Sequence, residues 1–256
     1  MVLAWIGALF IGLTLGLLGS GGSILTVPVL TYLVGQETKV AIAGSLMIVG
    51  IISLFSAIPY ARQKLVKWRT VVLFGVPGMV GAVAGAWLAH FVSDAIQMLI
   101  FAALMLTASY LMFKPMDLKD AESEHEERAM SKIMIDGFVV GAVTGLVGVG
   151  GGFLIIPALV LLGGLSMRLA VGTSLVIIAV KSFAGFVGYL DVLDALQLSI
   201  DWNIIAIFSI IGVVGGWLGH KISSKINQNQ LKQGFAVFLV LMGAFILYEN
   251  LPTLSS

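Results

Sequence analysis

The sequence predicts an all-α polytopic membrane protein: two inverted repeats of about four membrane segments, the first of each broken or re-entrant at a Gly-rich turn. Three observations carry that prediction. Hydrophobic residues make up 59% of the 256-residue chain and charged ones only 11%, with mean hydropathy +1.08, too little charge to wet a soluble surface. Apolar blocks follow one another with short polar joints. One glycine-rich motif occurs twice, at equivalent places in the two halves.

The apolar blocks run over 2–35, 40–60, 70–92, 96–113, 133–164, 168–190, 203–220 and 231–250. A bilayer-crossing helix needs roughly 20 apolar residues, so six blocks read as single spans. The first and fifth are too long for one span and too short for two. Each holds a glycine cluster at its middle, Gly19-Ser20-Gly21-Gly22 and Gly148-Val149-Gly150-Gly151-Gly152, which predicts two half-helices around a break. The first block is no signal peptide by this reading, because no Lys or Arg precedes Lys39 and the block outruns a signal core. Segment 114–132 is polar and acidic in its middle and divides the chain into an N-terminal membrane repeat, 1–113, a cytoplasmic linker, 114–132, and a C-terminal membrane repeat, 133–256.

An offset of 129 residues lays Gly16–Pro28 (GLLGSGGSILTVP) on Gly145–Pro157 (GLVGVGGGFLIIP), with seven of thirteen positions identical. Ala41, Ser45, Leu46, Ser53 and Tyr60 then fall on Ala170, Ser174, Leu175, Ser182 and Tyr189. At an offset of 130, Gly85, Trp87, Leu88 and His90 meet Gly215, Trp217, Leu218 and His220. Charge gives the relative orientation. Loop 61–69 holds Arg62, Lys64, Lys67 and Arg69 without an acid, whereas its counterpart 191–201 holds Asp191, Asp194 and Asp201 without a base. Basic loops favour the cytoplasm, so the equivalent loops lie on opposite faces and the repeats are inverted. Inversion requires an odd number of crossings per repeat, and the broken block must then enter and return.

Interrupted helices at matching places in inverted repeats point to a transporter's substrate site. A break leaves backbone groups that hydrocarbon cannot satisfy. A half-helix start offers N–H donors and partial positive charge, which suits an anion. The candidate substrate-binding residues are therefore Gly19, Ser20, Gly21, Gly22 and Ser23 in the first cluster, and Gly148, Gly150, Gly151 and Gly152 in the second. Scattered glycines such as Gly7, Gly12 and Gly243 read as helix packing. Lys181 lies deep in the sixth block, where a charge is costly and marks a substrate path, while its repeat partner is Ile52. Ser45, Thr173 and Ser174 open the blocks after the breaks, where hydroxyls complete an oxyanion shell or bond back to their own helix. Tyr60 and Tyr189 at block ends read as interfacial anchors.

The duplicated G-x-x-G-x-G-G-x-x-L-x-x-P core, the Ser-Leu start of the next helix and the G-x-W-L-x-H helix end resemble those of the sulfite exporter TauE/SafE family, from about Ala4 to Glu249. The resemblance implies a bacterial inner-membrane permease for sulfite, sulfonates and related sulfur-containing anions. The first motif carries Ser20 and Ser23 where the second has Val149 and Gly152, a difference that bears on substrate choice.

Other functions are disfavoured. Cysteine is absent, which removes disulfides, thiolate zinc sites and thiol catalysis. The three histidines, His90, His125 and His220, are too scattered for a metal centre. No paired carboxylates or Ser/His arrangement lie in the apolar blocks, so an enzyme is not expected. The glycine clusters lack the lysine and strand context of a P-loop. The expected partners are a small anionic substrate and the lipid bilayer, with no nucleic acid, metal or cofactor, and with a homodimer left open. A secondary transporter leads, with an anion channel or a transporter of another small solute as the alternative.

Overall fold

A computed structural model describes residues 2–20, 22–89, 91, 94–113, 130–147 and 152–254, and all regular structure among them is helical. In chain order the helices are α1 (Val2–Leu18), α2 (Gly22–Pro28), α3 (Thr38–Arg62), α4 (Trp68–Ala89), α5 (Asp94–Phe113), α6 (Met130–Val147), α7 (Gly152–Pro157), α8 (Met167–Ala195), α9 (Trp202–Ser223) and α10 (Gln228–Leu254). Segments Lys39–Arg62, Trp68–Gly85, Met167–Ala195 and Trp202–Ser223 are long and apolar enough to cross a bilayer.

The duplicated motif builds the same local structure twice. Pro28 and Pro157 end α2 and α7, and each passes into a π-turn, Val29–Leu33 and Ala158–Leu162. Proline has no N–H for the preceding turn and its ring crowds the carbonyl behind it, so the helix widens at that joint. Gly35 (φ +81°) and Gly164 (φ +65°) then stop the two segments in the left-handed region that glycine enters at little cost.

Two compact units are formed, and each draws helices from both sequence halves. Unit 1 comprises Met1–Trp68 and Arg168–Ile226; unit 2 comprises Arg69–Met167 and Asn227–Ser256.

In unit 1, α1 and α9 lie side by side in the same direction. A methyl on Gly12 would strike the Gly212 carbonyl, and one on Gly16 the Gly216 carbonyl. Without side chains the two backbones touch, the usual way helices associate in lipid. α3 runs beside α9 in the same sense, with Ile52 against Gly212, Ser56 against Gly216, and the Tyr60 ring 4.3 Å from that of His220. α8 runs the other way along α3, pairing Gly185 with Leu46, Gly50 with Phe183 and Gly172 with Tyr60. After α1 the chain doubles back: Gly22 packs on Ile11 and Leu15, and Val29 and Leu33 reach Gly7. Ile11, Leu15, Leu30, Ile48 and Ile52 are fully buried in this unit.

In unit 2, α6 and α4 are the sequence counterparts of α1 and α9 and make an equivalent glycine-faced pair. Gly78 and Gly81 of α4 press on the backbone at Gly137, Gly141 and Phe138, and Gly85 presses on Ala142. α5 packs on α10, where the Ser109 hydroxyl donates to the Ala236 carbonyl at 2.8 Å. Val72, Val76, Val80, Val83 and Trp87 form an exposed apolar stripe along α4. Spaced by three or four residues, they occupy one helix face, and a face of this kind suits lipid chains.

Candidate functional site

Unit 1 contains the described part of the first glycine cluster. α1 ends at Leu18, and Gly19 follows with φ +75°, buried among its neighbours. The turn is closed by Gly19 N–H donating to the Leu15 carbonyl at 2.7 Å. Ser23 Oγ donates to the Ser20 carbonyl at 2.8 Å and Thr26 Oγ1 to that of Gly22 at 2.8 Å, so two hydroxyls stiffen the start of α2. Ser20 differs: its side chain is fully buried and its hydroxyl has no partner among the described residues. Gly152 begins α7 in unit 2 and is buried. Gly21, Gly148, Gly150 and Gly151 lie outside the described residues.

The hydroxyls expected to complete an oxyanion shell are placed by backbone contacts. Ser45 Oγ donates to the Ile42 carbonyl of its own helix at 2.7 Å. Ser174 Oγ lies 3.1 Å from the Gly19 carbonyl and 2.9 Å from that of Val171, which joins the first turns of α8 to the break. Thr173 Oγ1 accepts from the Lys67 N–H at 3.1 Å and keeps its own proton for a further partner. Of the proposed shell, Ser20 and Thr173 retain a hydrogen bond to give.

Lys181 stands at the midpoint of the 29-residue α8. Ser174 and Lys181 are seven residues apart and share a helix face, so the face that touches Gly19 carries the ammonium about 10 Å further along. Interpolating the antiparallel α3–α8 pairs puts Lys181 level with Ile52, its repeat partner. Among the described residues of unit 1, no hydrogen bond or ion pair engages the Lys181 side chain.

Sequence reasoning missed a seam of buried polar atoms in the same unit. Ser53, Ser56 and Ser209 are at most 5% exposed and their hydroxyls are unpartnered. Ser53 sits on α3 near the level of Lys181, Ser56 lies about one turn nearer to Tyr60, and Ser209 lies one turn before Gly212 on α9. The signal was the three-residue spacing of Ser53 and Ser56 on α3, easily lost among the serines that bond to their own backbone.

Tyr60 corrects the expectation of an interfacial anchor. It is 1% exposed, and its hydroxyl donates to the Gly16 carbonyl at 2.8 Å. The helix outruns its apolar block to reach Arg62, and bare Gly16 and Gly216 leave the room the ring enters. Tyr60→Phe keeps the ring and loses that bond, so it should lower stability by about 1 kcal/mol. A drop of a few degrees in the thermal unfolding midpoint checks this; an unchanged midpoint would show the bond to be idle.

The long apolar helices and lipid-type faces define a multi-pass membrane protein, and the buried polar seam and mid-helix charge give it the character of a transporter. The chain belongs to the sulfite exporter TauE/SafE family, whose pattern matches residues 4–246. It is 30% identical over 250 residues to a Xylella fastidiosa (strain Temecula1) protein named "Probable membrane transporter protein", spanning 95% of this chain and 94% of that one. It is 28% identical over 253 residues to "Probable membrane transporter protein MJ0441" of Methanocaldococcus jannaschii, spanning 93% and 94% of the two chains. With "Probable membrane transporter protein YunE" of Bacillus subtilis it shares 28% identity over 263 residues, 92% and 93% of the respective lengths. No solved structure matches the chain.

Proposed function

We propose that this protein is a secondary transporter that exports small sulfur-containing anions, such as sulfite or organosulfonates, across a bacterial inner membrane by alternating access around its broken helices. The observation that carries this reading is Lys181: an ammonium at the middle of a long apolar helix, level with the unpartnered hydroxyl of Ser53 and two turns from the break that holds the buried, unpartnered hydroxyl of Ser20. A half-buried cation at mid-span and buried hydroxyls without partners are costly in hydrocarbon. An oxyanion satisfies both at once, since it accepts from O–H groups and neutralises the ammonium. When it leaves, water must replace it, which couples release to exposure of the site on one face.

Inverted topology is supported by α3 and α8, repeat counterparts that pack antiparallel in unit 1. The end of unit 1 bearing Arg62, Lys64, Lys67, Arg168, Lys221 and Lys225 is then cytoplasmic. In that topology the doubled-back α1–α2 hairpin would return to the side from which it enters, giving the repeat an odd number of crossings.

Reconstituted protein should carry sulfite across proteoliposome membranes with flux that saturates, and sulfoacetate or thiosulfate should compete. Flux that rises linearly without saturation would assign a channel instead. Flux equal to that of empty liposomes would remove the anion reading.

A further inference from the structure

At the basic end of unit 1, where α3, α8 and α9 converge, buried side chains remain that the mid-span position does not use. Tyr60 and His220 stack edge to face. Gln63 Nε2 lies 3.0 Å from His220 Nε2, so in this amide orientation Gln63 donates and the imidazole proton rests on Nδ1. That Nδ1 is buried without a partner, and the Ser223 hydroxyl, one turn further along α9, is buried beside the Tyr60 hydroxyl without forming a well-aligned hydrogen bond. His220 is 9% exposed and Ser223 1%. Ser56, one turn inward on α3, contributes another unpartnered hydroxyl.

Arg168 closes the group from the start of α8. Its Nη2 donates to the Ser224 and Ile226 carbonyls at 3.0 and 3.1 Å, holding the guanidinium at the end of α9, while its Nε is buried and unpartnered.

The unpartnered atoms of Arg168, His220, Ser223 and Ser56 can all donate a hydrogen bond. Arg62, Lys64, Lys67, Lys221 and Lys225 share this end with Arg168, and the acids of unit 1, Glu37, Asp191, Asp194 and Asp201, all belong to its opposite end. Such a site repels a cation and leaves a neutral ligand's charge complement unused. An oxyanion with three oxygens matches its several donors and its fixed positive charge.

We propose that Arg168, His220 and Ser223, walled by Tyr60, form a second oxyanion position at the basic end of unit 1. It is separate from the Lys181 position, since Tyr60 is level with Gly172, about 13 Å along α8 from Lys181. The proposal rests on the anion-transport reading and extends it: an anion is collected at the basic end before it reaches mid-span.

The test is a titration of purified protein with sodium sulfite, sulfate and thiosulfate against chloride at constant ionic strength. Binding is followed by calorimetry and by the 15N signals of the three histidines, with His220 assigned through His220→Gln. Sulfite or thiosulfate should shift the His220 Nδ1 signal, Ser223→Ala should weaken that response about tenfold, and Lys181→Met should leave it in place. Calorimetric binding with a silent His220, or with unchanged affinity in Ser223→Ala, would remove the second position and leave the transport reading standing. No binding of any anion to the wild-type protein would remove both.

Discussion

Lys181→Met should cut sulfite flux at least thirtyfold while leaving the purified protein as stable as the wild type or more so. The two halves of this result come from one feature. The ammonium sits midway along a 29-residue apolar helix with no partner among the described residues of its unit. Lys181 is half-buried, and holding a charge without a partner at mid-span is unfavourable, so methionine, of similar length and without charge, relieves that cost. The same ammonium is the charge an anion pairs with, and truncating one side of a desolvated charge pair costs about 2–5 kcal/mol, or about thirtyfold and upward. A structural lysine would behave in the opposite way: breaking a buried ion pair destabilises by about 3–5 kcal/mol. Flux and thermal midpoint measured on the same preparations separate the two. Lost stability with normal specific flux would end the substrate role.

The second large effect is structural. Gly16→Leu should lower the thermal unfolding midpoint by about 5–10 °C, because an overpacked contact costs about 1–3 kcal/mol and a chain of this size loses about 2–4 °C per kcal/mol. Even a methyl at Gly16, in the last turn of α1, meets the carbonyl of Gly216 within α9. Separating α1 from α9 also withdraws the Gly16 carbonyl from Tyr60. Gly188→Leu is the control, since it adds the same side chain at an exposed site in the same unit with nothing within 4 Å. Equal midpoints for the two variants would contradict the close approach of α1 and α9.

Much of the fold was written in local pattern. The break at Gly19 was legible because a left-handed buried turn needs glycine, and the motif supplies it at a fixed distance from Pro28. Gly12 and Gly243 were read as packing glycines, and they face Gly212 and Leu106 as that reading requires. The depth of Lys181 followed from the length of its apolar block. What stayed hidden depends on partners distant in sequence. Tyr60 reads as an anchor until Gly16 and Gly216 open a gap for its ring. Ser45 and Ser53 look alike in sequence, yet one hydroxyl bonds to its own helix and the other finds no partner. That difference lies in three-dimensional neighbours, which hydropathy does not report. The π-turns after Pro28 and Pro157 were likewise unread, since proline in a helix can kink, widen or end it.

The central claim is that a small anion passes along the polar seam of unit 1, and the absence of cysteine makes it directly testable. Single substitutions Ser53→Cys and Ser209→Cys place one thiol each on the seam, and Ser109→Cys places one in the buried α5–α10 contact of unit 2. The rate of modification by a small anionic methanethiosulfonate reagent, with and without sulfite, is the measurement. The account predicts that both seam thiols react and that sulfite slows them, while the unit 2 thiol stays inert. Inert seam thiols, or equal reaction at Ser109→Cys, would contradict it.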